Sequence, residues 1–145
     1  METFHRIMIA TDGSEASLKA ARTALALAMR LGAELLVAHV VDDEVVKEIS
    51  RALAKDEKDA RQIMCDKAER YLSEVQNIAN QNSIAAPGRI AYGAPHEALL
   101  KIAENEKADL LVMGKTGRRG VRRALAGSVT RRVIDLAEIP VLVVK

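Results

Sequence analysis

Short, mostly apolar runs alternate with longer amphipathic stretches along this chain. Ile7-Met8-Ile9-Ala10, Leu35 to Val41, Arg89 to Tyr92, Leu110 to Met113 and Val141 to Val144 have strand length and strand composition. The stretches between them carry apolar residues at steps of three and four. Leu18, Ala21, Leu25, Ala28 and Met29 form the packing face of a first helix, with Ser14 a candidate N-cap and Gly32 a stop after Leu31. Ile63, Met64, Ala68, Tyr71, Leu72, Val75, Ile78 and Ala79 predict a second helix from about Asp56 to Asn82. Before it, Glu44 to Lys55 bears only a weak stripe (Val45, Val46, Ile49, Leu53) and reads as a helical or mobile excursion. Pro95 opens a third helix that Leu99, Leu100, Ile102 and Ala103 carry to about Glu106. A fourth starts near Ser128 and ends before Pro140, with Val129, Val133, Ile134 and Ala137 on one face.

Strictly alternating strands and helices predict an α/β fold: a single doubly wound domain over residues 1–145, with a five-stranded parallel sheet and four main helices on both faces. Strands apolar at nearly every position fit a sheet covered on both sides. Composition narrows the functions. Phe4, Tyr71 and Tyr92 are the only aromatic residues, too few for a base-stacking nucleic-acid binder. A formal net charge of +2 is too near balance for the whole molecule to be a nucleic-acid binder. Cys65 is the sole cysteine, which rules out an internal disulfide or a thiolate zinc site. No run is long and apolar enough to cross a bilayer, and the chain enters its first strand without a signal-peptide layout, so a reducing cytoplasm is the expected location.

The most informative stretch runs from Asp109 to Thr130. The apolar run ending at Met113 breaks at Gly114, passes through a loop with Gly117, Gly120 and four arginines, and reaches a helix start at Gly127-Ser128. Glycines let backbone N–H groups approach an anion, and a helix start adds unpaired N–H groups at the positive end of its dipole. This is a phosphate site in outline. It is not a P-loop, because Asp109 stands where the first glycine of that motif belongs, and the spacing Gly114, Gly117, Gly120 is not the dinucleotide fingerprint.

In open parallel sheets ligands bind beyond the carboxyl ends of the strands, where strand order reverses. Thr11-Asp12-Gly13, Val40-Val41-Asp42 and Gly114 to Gly117 lie at such ends. If the first and fourth strands flank the reversal, one crevice collects all three. A carboxylate at Asp12 suits a ribose diol, backbone near Val40 suits an adenine edge, and the glycine loop suits phosphates.

With these parts assembled, the chain resembles the nucleotide-binding branch of the universal stress protein family from Ile7 to Val144. The most specific element is Gly114-x-x-Gly117, nine residues from Arg118 to Ala126, then Gly127-Ser128. Asp12 in Thr-Asp-Gly-Ser, His39-Val40-Val41-Asp42 and Gly93-Ala-Pro95-His96-Glu97 match other recurring positions. The resemblance implies bound ATP, with Ala10, Thr11, Asp12 and Val40 at the adenosine. Gly114, Gly117, Arg118, Gly127, Ser128, Val129 and Thr130 would surround the phosphates. Met113 and Lys115 join the cofactor-binding set, Lys115 either as a phosphate contact or as a solvated loop charge. It also implies strand order 3-2-1-4-5 and a homodimer through Val141–Val144. Independently, that strand would be a bare apolar edge in a monomer.

Each residue also has a plainer reading. Asp12 can serve as a turn residue, His39 as a packed strand-end histidine, His96 as a solvated one, and Cys65 as a half-buried helix residue. Asp42, Asp43 and Glu44 read as a solvated loop ahead of a cation site; no protein metal ligands are assigned, and Mg2+ or Mn2+ would ride on the ATP phosphates. Arg118, Arg119, Arg122, Arg123, Arg131 and Arg132 are denser than a triphosphate requires. Beyond phosphate neutralisation, this Arg118–Arg132 patch suits an anionic protein partner, with nucleic acid disfavoured. The leading functional expectation is an ATP-binding regulatory or stress-response protein whose nucleotide state a partner reads. The alternatives are a slow ATPase or phosphoryl or nucleotidyl transferase, and a nucleotide-free dimeric adaptor.

Overall fold

A computed structural model describes residues 3–117 and 126–145. Five parallel strands, β1 (Arg6–Ala10), β2 (Glu34–Asp42), β3 (Gly88–Gly93), β4 (Leu110–Gly114) and β5 (Val141–Val144), form one sheet in the order β3-β2-β1-β4-β5. The register sets Ile7 beside Leu35 on one side and Leu110 on the other, so β1 lies at the centre. Among the described residues five helices surround it: α1 (Glu15–Leu31), α2 (Asp43–Ala52), α3 (Glu57–Gln81), α4 (Pro95–Asn105) and α5 (Ser128–Leu136).

The two-residue period of the strands divides the core. Ile7, Ile9, Leu35, Val37, Leu110 and Val112 face α1 and α3, while Met8, Ala10, Leu36, Ala38, Leu111 and Met113 face α4 and α5. Alanines at 20, 21, 24 and 28 bring α1 close to the sheet. Its start and stop are local: the Ser14 side chain accepts from Ser17 N–H at 3.2 Å, and Gly32 takes φ 66°, a left-handed cap that a β-carbon would strain. Pro95 stands in the first turn of α4, where its missing N–H costs nothing.

Of the two readings of Glu44 to Lys55 the helical one holds, and α2 joins the four main helices. Asp42-Asp43-Glu44, expected as a solvated loop, is the start of that helix. Asp42 ends β2 and caps α2, its carboxylate accepting from Glu44 N–H at 2.9 Å. Val46 is buried in a small third core with Val41, Ala60 and Ala68, and Asp43 pairs with Arg61 at 3.7 Å. Asp56 caps α3 and is not part of it, accepting from Asp59 N–H at 2.8 Å. The stripe is weak because α2 buries one thin edge against α3 and the end of β2. Two assigned core residues also differ: Met29 is 54% exposed and Ile134 is 49% exposed, each lying off the covered arc of its helix. Cys65 is half-buried, its Sγ 3.3 Å from Tyr92 Oη. That contact, with burial, pushes the Tyr92 phenol above its ordinary value. Among the described residues no helix is long and apolar enough to cross a membrane.

At the amino end of the sheet Asp109 ties β4 to β1, its two carboxylate oxygens accepting from His5 N–H (2.8 Å) and Arg6 N–H (2.9 Å). Partial burial alone would push this carboxyl up, but the two backbone donors and the neighbouring His5 outweigh it and hold it below its usual value. A lowered folded-state value stabilises the fold above the ordinary carboxylate range, and that stability is lost as pH falls through the folded value. Asp109→Asn is therefore expected to be less stable than wild type at pH 7, with the gap closing as pH falls below about 4 in denaturant titrations.

Candidate functional site

β1 and β4 run side by side, but β1 leads to β2 on one flank and β4 to β5 on the other. Their carboxyl ends therefore open a crevice that no crossover covers. On the β1 side the chain turns sharply. Thr11 N–H donates to Ala38 C=O at 2.9 Å, the last rung between β1 and β2. Gly13 takes φ 77°, and Asp12 accepts from Ser14 N–H at 3.0 Å through Oδ1. This turn leaves Oδ2 directed at the opposite wall. Thr11 Oγ1 lies 3.2 Å from both Ser17 Oγ and Gly13 N, fastening the turn to the first turn of α1.

The opposite wall is the glycine segment. A β-carbon on Gly114 would fall 2.8 Å from the Ala16 carbonyl carbon, so β4 can pass α1 only without a side chain there. A β-carbon on Gly117 would overlap Asp12 Oδ2. Gly127 N–H donates to Lys115 C=O at 2.8 Å, and Thr130 Oγ1 donates to Gly114 C=O at 3.0 Å, holding the end of β4 against the start of α5. The first intrahelical bond recorded at this end is Arg131 N–H to Gly127 C=O at 3.0 Å. The N–H groups of Ser128, Val129 and Thr130 thus stand at the positive end of the helix without intrahelical acceptors.

Between these walls lies a cavity of about 340 Å3, within the range of small-ligand sites. One end is polar, with Asp12, Gly117, Gly127 and Ser128; the other is apolar, with Val40, Val45, Met64, Pro95, Leu99 and Met113. Rungs from Glu34 N–H to His5 C=O and from Thr11 N–H to Ala38 C=O show that even-numbered residues of β2 direct their backbone groups toward β1. Val40 is the next such residue, beyond the end of β1, so its N–H and C=O face the crevice. His39 is buried beside them, Nδ1 2.7 Å from Thr11 C=O, its ring edge-on to Tyr71 with centroids 5.3 Å apart.

The structure brings together Ala10, Thr11, Asp12, Val40, Met113, Gly114, Gly117, Gly127, Ser128, Val129 and Thr130 around this one cavity. Thr130 is 4% exposed and engaged with Gly114, so its hydroxyl anchors the end of β4. Lys115 does not line the cavity; its backbone pairs with Val144 and Gly127. Arg118 lies outside the described residues, as do Arg119, Arg122 and Arg123, while Arg131 and Arg132 are exposed on α5. His96 was expected in solvent, yet its side chain is only 13% exposed because the first turn of α4 packs down on the sheet. Among the described residues no cluster of metal-ligating side chains forms. Ser17, Val45, Met64, Tyr71 and Leu99 also line the cavity. Their helical periodicity marked several of them as core, and nothing local distinguishes a helix face on the sheet from one overhanging its end.

The universal stress protein family model matches residues 3–145. The chain belongs to the universal stress protein family. It is similar to the universal stress protein MJ0531 of Methanocaldococcus jannaschii, 35% identical over 98% of this chain and 82% of that one. The solved structure of MJ0577 from the same organism superposes with a TM-score of 0.85 at 28% identity, covering 99% of this chain and 97% of that chain. A universal stress protein solved in complex with cAMP superposes with a TM-score of 0.62 at 26% identity, covering 99% and 98%. The family therefore includes structural neighbours that bind nucleotides.

The close approach of Gly117 to Asp12 yields a direct test. In Gly117→Ala the carboxylate has to swing off Ser14 N–H, at an expected cost of about 1–2 kcal/mol in urea unfolding. In an Asp12→Ala background the same change is expected to cost less than about 0.5 kcal/mol. Equal costs in both backgrounds would mean that the carboxylate is not what demands a glycine.

Proposed function

We propose that this protein binds an adenine nucleotide, ATP in the first instance, in the crevice between β1 and β4, and acts as a regulatory stress-response protein whose nucleotide state a partner reads. The observation that carries this reading is the convergence of the Asp12 carboxylate, the Val40 backbone, the glycine wall and the start of α5 on one cavity of about 340 Å3. A Watson–Crick adenine edge offers one acceptor and one donor to a backbone N–H and C=O. Asp12 would accept from the ribose hydroxyls. Gly117, Gly127 and the N–H groups of Ser128 and Val129 would take the phosphates, with Gly117 leaving room for the Asp12 carboxylate beside them. A divalent cation, Mg2+ or Mn2+, would be held by phosphate oxygens. The cAMP complex of a structural neighbour supports the ligand class.

The regulatory reading is favoured over a phosphoryl or nucleotidyl transferase because three of the hydroxyls lining the cavity are engaged: Thr130 with Gly114 C=O, and Thr11 with Ser17. A transfer step also needs an oriented nucleophile and a group to position it. Nucleotide occupancy would set the loop between Gly114 and Gly127, next to the exposed Arg131 and Arg132, where an anionic partner protein would dock. β5 is an edge strand in the sheet order, composed of Val141, Leu142, Val143 and Val144, and its pairing with a second copy would cover that edge. A cytoplasmic location follows from the same reading.

ATP at a hundredfold excess over its dissociation constant is expected to stabilise the fold by about 2.7 kcal/mol, seen as a rise of several degrees in melting temperature. Asp12→Ala should abolish the rise while leaving the fold intact. No rise with ATP, ADP, AMP or cAMP would overturn the nucleotide reading; retained dimers in that case would favour the adaptor. For the edge strand, Val143→Lys is expected to convert dimers to monomers in sedimentation.

A further inference from the structure

We propose that His39 is a positioning residue that holds the crevice open between the ends of β1 and β2, keeping the Val40 backbone available to the ligand. The inference rests on the nucleotide reading above and adds a role that the reading does not require. It begins with the ladder. β1 and β2 pair in register from Arg6 and Glu34 to Ala10 and Ala38, and Thr11 N–H to Ala38 C=O closes the last rung. Continuing the same alternation, the next rung would run from Val40 N–H to Thr11 C=O. Instead, Thr11 C=O receives the His39 imidazole, whose Nδ1 lies 2.7 Å away. A carbonyl oxygen only accepts, so Nδ1 carries the proton and donates.

The geometry explains why a side chain can divert a backbone rung. His39 is odd-numbered, so its ring stands on the α1 and α3 face of the sheet, where Tyr71 of α3 meets it edge-on at 5.3 Å. With His39 7% exposed and Thr11 4% exposed, the bond is shielded from water and its loss would leave a buried carbonyl to find another donor. The nearest backbone donor by register is Val40 N–H. The imidazole bond therefore draws the Thr11 carbonyl toward the α3 side, and β1 leaves the sheet into the Asp12–Gly13 turn. Removing it lets the ladder close by one rung, which consumes the Val40 amide and narrows the apolar end of the cavity. The same bond fixes the peptide that precedes Asp12, so the ribose-facing carboxylate and the adenine-facing amide are set together.

Two substitutions separate positioning from packing. His39→Asn keeps a side-chain N–H donor close to the place of Nδ1, and His39→Phe keeps the ring against Tyr71 but has no donor. Calorimetric titration with ATP is expected to give an affinity for His39→Asn within about threefold of wild type and for His39→Phe about tenfold weaker, with both variants melting cooperatively. A Phe variant that binds like wild type, or an Asn variant as weak as Phe, would overturn the proposal. A second readout needs no ligand. Nitrogen-15 shifts of the imidazole in the free protein should report the Nδ1–H tautomer, and hydrogen exchange at the Val40 amide should be slower in His39→Phe than in wild type. The Nε2–H tautomer, or unchanged Val40 exchange, would sink the idea even if ATP binds. Failure of wild type to bind any adenine nucleotide would instead remove the functional reading and leave the ladder experiment to decide the role of His39.

Discussion

The site depends on two walls approaching to a distance that only backbone permits. Gly114 passes α1 at Ala16, and Gly117 meets the Asp12 carboxylate, in each case with no room for a β-carbon. A side chain at Gly114 would lift the end of β4 away from α1. One at Gly117 would push the carboxylate off the turn that orients it. The Thr130 hydroxyl bond to Gly114 and the Gly127 bond to Lys115 then carry the same constraint to the start of α5. Helix dipole, glycine backbone and carboxylate become neighbours through that contact.

The rest of the fold serves this approach. Alanine-rich α1 lies low on the sheet, which puts Ala16 and the Ser14-capped start of the helix beside the ends of β1 and β4. Separate cores on the two faces hold α1 and α3 on one side and α4 and α5 on the other. α5 can therefore aim its first turn at the crevice while its buried Val133 anchors it behind. The third, smaller core under α2 roofs the apolar end with Val45 and Met64.

Much of this was legible from residue patterns. Ser14 and Gly32 bracket α1 through bonds to residues within a few positions, and caps of that kind are written in short segments. The strand runs were readable because both faces are covered, and the glycine spacing from 114 to 127 marked the segments that meet across the crevice. α2 was not readable as a helix with a fixed place, since its one buried residue, Val46, packs on residues supplied by β2 and α3. Met29 and Ile134 share the spacing of covered neighbours yet lie outside the packed arc. Periodicity gives the direction of an apolar stripe but not how wide a partner covers it.

Local pattern carried the order of elements, their caps and the kind of chemistry at the strand ends, because each rests on a few consecutive residues. It could not supply the distance between Asp12 and Gly117, the diversion of Thr11 toward His39, or the placement of Met64 and Tyr71 over the cavity. Those relations join segments far apart in the chain. They exist only after the sheet has set its strands in the order β3-β2-β1-β4-β5 and packed a helix layer on each face, and a long-range contact of that kind leaves no periodic trace in the residues that make it.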